Sequence, residues 1–262
     1  MDRKLIDGFT FYNELDMLEF RLKELNSIVD RFVIVEATKT HQGNDKPLFF
    51  DDNKNKFSKY KDKIVHIVVD DMPEGDDNWK RENHQRNAIS NGLDKLNDTD
   101  LVIIGDVDEI PDTNTLKHLK ENGLDSSVAL EMDFYYYNLE NKHNQKWYLA
   151  KVLPYGELRK SNPQDIRFSK SGTKDTLDKI EHKIQSNGGW HFSYFGDENM
   201  IINKIKNFAH SEYNEDTYLN SVVIKGCIED GDDILFRGIK LQQIKIEDNN
   251  YIPKYYKMLE VI

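Results

Sequence analysis

The sequence predicts an α/β fold whose first half is a mostly parallel, doubly wound sheet and whose second half is a smaller antiparallel β region. Three observations carry this. Residues 5–12, Phe32–Ala37, Ile64–Val69 and Leu101–Ile104 are short β-type runs separated by helical patterns or long polar loops, the alternation that produces parallel strands. The last three are apolar almost throughout, as strands covered on both faces must be. Beyond residue 112 the texture changes to two long runs, Val128–Tyr137 and Trp147–Leu153, on either side of a polar turn, which suits an antiparallel pair.

Each element follows from its own pattern. Residues 5–12 alternate weakly and carry Phe9, Phe11 and Tyr12. Asn13, followed by Asp16, resembles a helix N-cap with an acid in the first turn. Leu15, Leu18, Leu22 and Leu25 then share one helical face. Residues 38–50, with Gly43 and Pro47, and residues 70–78, with Pro73 and Gly75, read as loops. Trp79–Leu96 reads as one helix with Ala88, Ile89, Leu93 and Leu96 inward, and another helix is expected near Asp112. A strand over Gly189–Phe195, a helix over Glu198–His210 and a mixed final segment complete the chain. No repeat, low-complexity segment or linker divides it, so a single domain over 1–262 is expected.

The net charge of −11 argues against general nucleic-acid binding, which depends on neutralising phosphates with Lys and Arg. Cys227 is the lone cysteine, so an internal disulfide framework and a Cys-based zinc site are excluded. No apolar run is long enough to span a bilayer, and MDRKLIDGFTFYNE has no signal-peptide core. A cytoplasmic protein is the expectation.

The chemistry concentrates in DLVIIGDVDEIP, Asp100–Pro111. A buried strand ends at Gly105 and releases Asp106, Asp108 and Glu109 where open α/β sheets bind ligands. In extended conformation both aspartates point to one side, and converging carboxylates call for a cation, with Mg²⁺ or Mn²⁺ suited to hard oxygen ligands. Three functions compete for these acids. DxD after an apolar strand also opens haloacid-dehalogenase-type phosphatases, and Gly231–Asp233 resembles their distal motif; Ile110, where a small hydroxyl residue is expected, speaks against them. A non-catalytic carbohydrate-binding module would use Tyr135, Tyr136, Tyr137, Trp147 and Tyr148 as a platform. Sugar transfer from a nucleotide-sugar would use the acids to hold a metal on the departing diphosphate.

The run FTFYNELDMLEFRLKEL, then DRFVIVEATKTHQGNDKPLFF, the helix containing Arg86, IIGDVDEIPD and GGWHFSYFG closely resemble glycosyltransferase family 17, in the same order and from about Phe9 to about Tyr213. The resemblance implies a GT-A-type, Rossmann-like fold, with residues 1–112 binding the nucleotide-sugar and 113–262 forming the acceptor side. It implies an inverting enzyme with a divalent metal, Mn²⁺ or Mg²⁺, and a UDP-sugar donor, foremost UDP-GlcNAc, acting on a glycan acceptor. It places Asp106 at the ribose or metal and Asp108 on the metal. Animal members carry a membrane anchor and luminal cysteines, neither of which this sequence shows, so a bacterial or viral glycan is the expected acceptor.

Other candidates stand on the residues themselves. His191 follows a glycine pair, where backbone approaches a ligand closely, and is a third metal ligand or a hydrogen-bonded core histidine. Asp197 and Glu198 are candidate bases or first-turn acids stabilising a helix dipole, with Asp133 in reserve. Asn13 and Glu36, at strand ends, are placed by uracil or ribose, or are caps. Arg86 pairs with diphosphate or with Asp106. Trp190 and Tyr135 form an acceptor wall or pack in the core.

Overall fold

The computed structural model describes residues 3–168 and 183–261. Strands β1 (Leu5–Phe11), β2 (Arg31–Ala37), β3 (Ile64–Val69) and β4 (Leu101–Asp106) lie parallel in the order β3-β2-β1-β4. Between them run α1 (Leu15–Leu25), the short α2 (Phe49–Asn53) and α3 (Asn78–Asn87). The sheet continues without a break into the second half. There β8 (Lys151–Pro154) pairs antiparallel with β4 and with the start of β6 (Val128–Tyr136). The architecture is mixed α/β with a mostly parallel central sheet. Helix α4 (Thr113–Asn122), a turn at Tyr155–Leu158 (α5), then α6 (Pro163–Phe168), α7 (Glu198–Asn207) and α8 (Ser221–Asp230) complete the main helices of the described residues. None of these helices is long and apolar enough to cross a membrane.

The sheet separates two apolar layers. Phe9, Leu18, Leu22, Leu25, Phe32 and Ile103 belong to one; Ile6, Val33, Val35, Ile89, Val102 and Ile104 belong to the other. Strand residues that alternate between two buried layers explain why β2 and β4 are apolar over Phe32–Val35 and Leu101–Ile104. The stripe Leu18, Leu22, Leu25 of α1 also carries Arg21 at the same helical spacing, and all four are buried.

Four expectations are corrected. The helix over Trp79–Leu96 ends at Asn87 and tightens into a 3-10 segment, Ala88–Gly92. Ile89, Ser90, Asn91 and Gly92 are poor helix formers, and Gly92 sits so close to β2 that a Cβ there would lie 2.4 Å from Val33 Cγ1. Asn13 does not cap α1: Glu14 holds that position without a side-chain bond, and the Asn13 amide reaches Asn203 at 3.1 Å. The strand expected over Gly189–Phe195 is the longer β9 (Lys183–Ser193), which runs parallel to β6 along one edge, while the other edge of β6 meets Trp147–Val152 antiparallel as expected. Finally, Asp106-Val107-Asp108 is not extended. β4 stops at Asp106, a turn follows, and β5 (Glu109–Pro111) leaves antiparallel to β9. The two aspartates therefore do not share a strand face.

Candidate active site

The turn after β4 is locked from below by Arg21. Its guanidinium forks onto Asp7 at 2.8 and 2.6 Å and donates through one nitrogen to the carbonyls of Asp106, Val107 and Glu109 at 2.9, 3.3 and 2.5 Å. Bidentate pairing suits a planar guanidinium, and with no exposure at either side chain this pair fixes the backbone that presents the acids. Glu109 turns back under the same turn. It accepts from the Asp106 amide at 3.0 Å, from Trp147 Nε1 at 2.5 Å and from both terminal nitrogens of Arg167 at 2.7 and 2.8 Å.

Above the turn lies a cavity of about 850 Å³, within the range of small-molecule sites. Thr10, Tyr12, Glu14, His41, Glu82 and Arg86 line it from the first half, and Phe134, His143, Trp147, His191, Tyr194 and Lys204 from the second. Asp106 and Asp108 stand at its floor. Asp106 is heavily engaged: Thr10 Oγ1 at 2.9 Å and Arg86 at 3.2 Å reach Oδ1, and Arg167 reaches Oδ2 at 2.6 Å. Burial would raise this carboxyl, but Arg167 and Arg86 outweigh it and hold it well below the usual carboxylate range. Asp108 is held low in the same way, burial being overcome by Lys204 and then His191. Lys204 Nζ lies 2.7 Å from Asp108 Oδ2, and His191 Nε2 lies 3.7 Å from Asp108 Oδ1.

His191 is clamped between aromatic rings, stacked on Phe134 at 4.6 Å and 10° and 4.3 Å from Trp147. Its Nδ1 is buried and has no hydrogen-bond partner. Among the described residues no group of three or more His, Cys, Asp and Glu side chains is arranged to hold a metal. Asp108 Oδ1 with His191 offers one oxygen and one nitrogen facing the cavity. Such a partial set fits an ion completed by substrate phosphates and water, the habit of Mg²⁺-type sites.

The structure thus gathers Asp106, Asp108, Arg86 and His191 at one cavity. The other candidates lie elsewhere. Asp197 caps α7, accepting from the Met200 amide at 2.8 Å, and Glu198 stands in that helix's first turn; neither lines the cavity. Asp133 is buried between the ammonium groups of Lys142 and Lys146. Glu36 is fully buried and accepts from the Phe50 amide at 3.0 Å and His66 at 3.1 Å, which makes it an anchor for α2. Asn13 lies off the cavity beside Asn203. Trp190 is a core residue donating to the Tyr251 carbonyl at 3.1 Å, and Tyr135 is fully buried, its hydroxyl accepting from Asn249 at 2.8 Å. Of the tyrosine platform, only Tyr136 and Tyr148 reach the cavity wall, with Trp147. Gly231–Asp233 is a helix terminus: Gly231 ends α8 in the left-handed conformation, and Asp233 is tied to Arg237 at 2.8 Å. It does not join the Asp106–Glu109 turn.

Arg21, Arg167 and Lys204 escaped the sequence reading, yet two of them left a signal. Arg21 falls on the Leu18/Leu22/Leu25 stripe, and Lys204 lies three residues after Ile201 and one before Ile205, both buried. A cation on the apolar stripe of an amphipathic helix needs a buried partner. Arg167 has a weaker cue, since Asn162 followed by Pro163 marks a helix start.

The model of glycosyltransferase family 17 matches residues 1–237. The β-1,4-mannosyl-glycoprotein 4-β-N-acetylglucosaminyltransferases of rat and human are each 30% identical over 126 residues, 45% of this chain. That match spans 23% of the rat protein and 24% of the human one, about a quarter of their length. A mannosyltransferase of Pyrobaculum calidifontis, solved with GDP-Man and Mn²⁺, is similar at 11% identity and a TM-score of 0.44, covering 79% of this chain and 62% of its own. Glucosyl-3-phosphoglycerate synthase of M. tuberculosis gives 11% identity and a TM-score of 0.37, over 76% of each chain.

Proposed function

The chain belongs to glycosyltransferase family 17, and from that membership we propose that it transfers a sugar, GlcNAc in the first instance, from a UDP-sugar to a glycan acceptor with inversion. One observation supports this above the rest: Asp108 and His191, 3.7 Å apart, sit at the carboxyl end of a central parallel strand, on the floor of a cavity walled by charge on one side and aromatic rings on the other. The relatives' names support GlcNAc as the sugar.

In this reading Asp108 and His191 hold a divalent ion, Mn²⁺ or Mg²⁺. Bound there, it supplies positive charge to the departing diphosphate. Asp106 is held by Thr10, Arg86 and Arg167 and orients the donor beside it. Arg86, at the cavity wall with its Nε buried and unpaired, steadies the diphosphate. Among the described residues four carboxylates line the cavity, and Glu82 is paired with Arg86 at 2.8 Å. Glu14 has its nearest cation, Lys204, at 3.9 Å, so of the wall carboxylates it is the freest to take the acceptor hydroxyl's proton. The aromatic wall of Phe134, Tyr136 and Trp147 gives sugar rings a flat apolar surface and keeps water from the reacting atoms.

The test is ligand stabilisation. A native-state ligand raises the melting temperature by mass action, so UDP with Mn²⁺ should raise it more than either alone, and UDP-GlcNAc more than GDP-mannose. Stabilisation by free oligosaccharide without any nucleotide effect would overturn the reading in favour of a carbohydrate-binding module.

A further inference from the structure

Lys204 stands out among the groups around the carboxylate turn. It comes from α7, in the second half, yet its ammonium is 2.7 Å from Asp108 Oδ2 and 3.9 Å from Glu14 Oε1, over the Tyr194 ring at 5.8 Å. It occupies the space on one side of Asp108 while His191 stands on the other. An ammonium and a divalent cation beside one carboxylate repel each other over a few ångströms, where screening is weak. The same ammonium lines the cavity that would receive the diphosphate, an anion it attracts.

We infer that Lys204 is the protein's resident counter-ion at this turn, sharing Asp108 with the divalent ion and then engaging the donor's diphosphate. Without ligand, the ammonium balances Asp108 and keeps the turn folded with no metal present. Its charge weakens the hold on a lone metal ion, so metal and nucleotide bind best together. When the metal-bound diphosphate arrives, the ammonium has an oxygen anion within reach and adds to its grip. Lys204 would thus couple metal binding to donor binding, in the sense that each ligand strengthens the other. The inference rests on the metal-assisted reading of the site and adds a residue to it.

The experiment compares wild type, Lys204→Met, Lys204→Gln and Lys204→Arg, with Asp108→Asn as a reference. Isothermal titration measures Mn²⁺ affinity without nucleotide and UDP affinity in saturating Mn²⁺. Removing the charge should tighten Mn²⁺ about tenfold and weaken UDP about tenfold, as expected for one charge at such range. Lys204→Arg should stay near wild type on both counts. A lysine that merely braces the fold would lower the melting temperature of the variants without tightening Mn²⁺. Unchanged or weaker Mn²⁺ binding in both Lys204→Met and Lys204→Gln, with wild type binding normally and Asp108→Asn not at all, overturns the inference and leaves the transferase reading standing. Failure of wild type to bind Mn²⁺ with or without UDP overturns both.

Discussion

The two walls of the cavity are held together by different physics. On the charged side, Asp106, Asp108 and Glu109 each meet at least one cation, and Arg21 fixes the backbone beneath them. On the aromatic side, His143, Phe134 and His191 stack in sequence at 4.8 and 4.6 Å, and hydrogen bonds are few. The charged wall is specific because every misplacement leaves a buried ion without its partner, whereas the aromatic wall tolerates small shifts because stacking is weakly directional. On the proposed reading, a site that holds charge in place and also accepts the varied surface of a sugar gains from both. Trp147 joins them, its indole N–H on Glu109 at 2.5 Å and its ring against Phe134 and His191 at 5.1 and 4.3 Å.

This contrast can be broken most forcefully at Arg167. Arg167→Met removes the cation paired with Glu109 and, among the described residues, one of the two paired with Asp106, and breaking such a buried pair costs about 3–5 kcal/mol. Urea unfolding should show that loss. A change below about 1 kcal/mol would mean that the charged wall is not what fixes the turn. Next in size, Asp108→Asn should lower transfer from UDP-GlcNAc by roughly 10²–10³-fold, the usual effect of removing one charge-stabilising group, with a smaller fall in melting temperature than Arg167→Met because Lys204 keeps Glu14 at 3.9 Å. Steady-state kinetics beside a thermal melt checks it, and wild-type turnover would remove Asp108 from the reaction.

Lys151 sharpens the rule by exception. It is fully buried behind the turn, and among the described residues its ammonium donates to the carbonyls of Tyr148 and Leu149, at 2.6 and 3.1 Å. Burial, and then the Arg167 charge, push its pKa from 10.5 down to about 7. The unfolded chain therefore binds a proton that the native state has lost between these values. Stability contributed by this group rises with pH from about 7 to 10.5, by up to roughly 1.4 kcal/mol per unit. Unfolding at several pH values should show this slope in wild type and its loss in Lys151→Met. The smallest effect belongs to the aromatic wall. Phe134→Leu should lose about 0.5–1.5 kcal/mol of stacking and raise the acceptor KM while leaving donor hydrolysis in place. A loss as large as that of Arg167→Met would erase the distinction between the walls.

Much of the first half was legible in the sequence because its determinants are local. Ile64–Val69 has the predicted bounds, Phe32–Ala37 is extended by one residue to Arg31, and the leucine stripe of α1 and a helix beginning near Asp112 (Thr113–Asn122) could be read from neighbouring residues. The acids after β4 were legible as a candidate site for the same reason, since a buried strand ending in carboxylates needs no distant residue to be noticed. Their geometry was not. Whether Asp-Val-Asp is extended or turned depends on Arg21, 85 residues away from Asp106, and on the Glu109 carboxylate folding back.

The sequence alone determined that a mostly parallel sheet would deliver Asp106 and Asp108 to its edge, because hydrophobic periodicity and strand-end chemistry are written within a few neighbouring residues. Only the tertiary structure decided what those acids meet. His191 lies on β9, paired parallel with β6, and Lys204 on the helix that follows it, while Arg167 comes from α6, tied to the end of α3 through Gln164 and Asn87. Packing also withdrew Asp133, Glu36, Tyr135 and Trp190 into the interior, where burial required that their polar atoms find partners inside the protein.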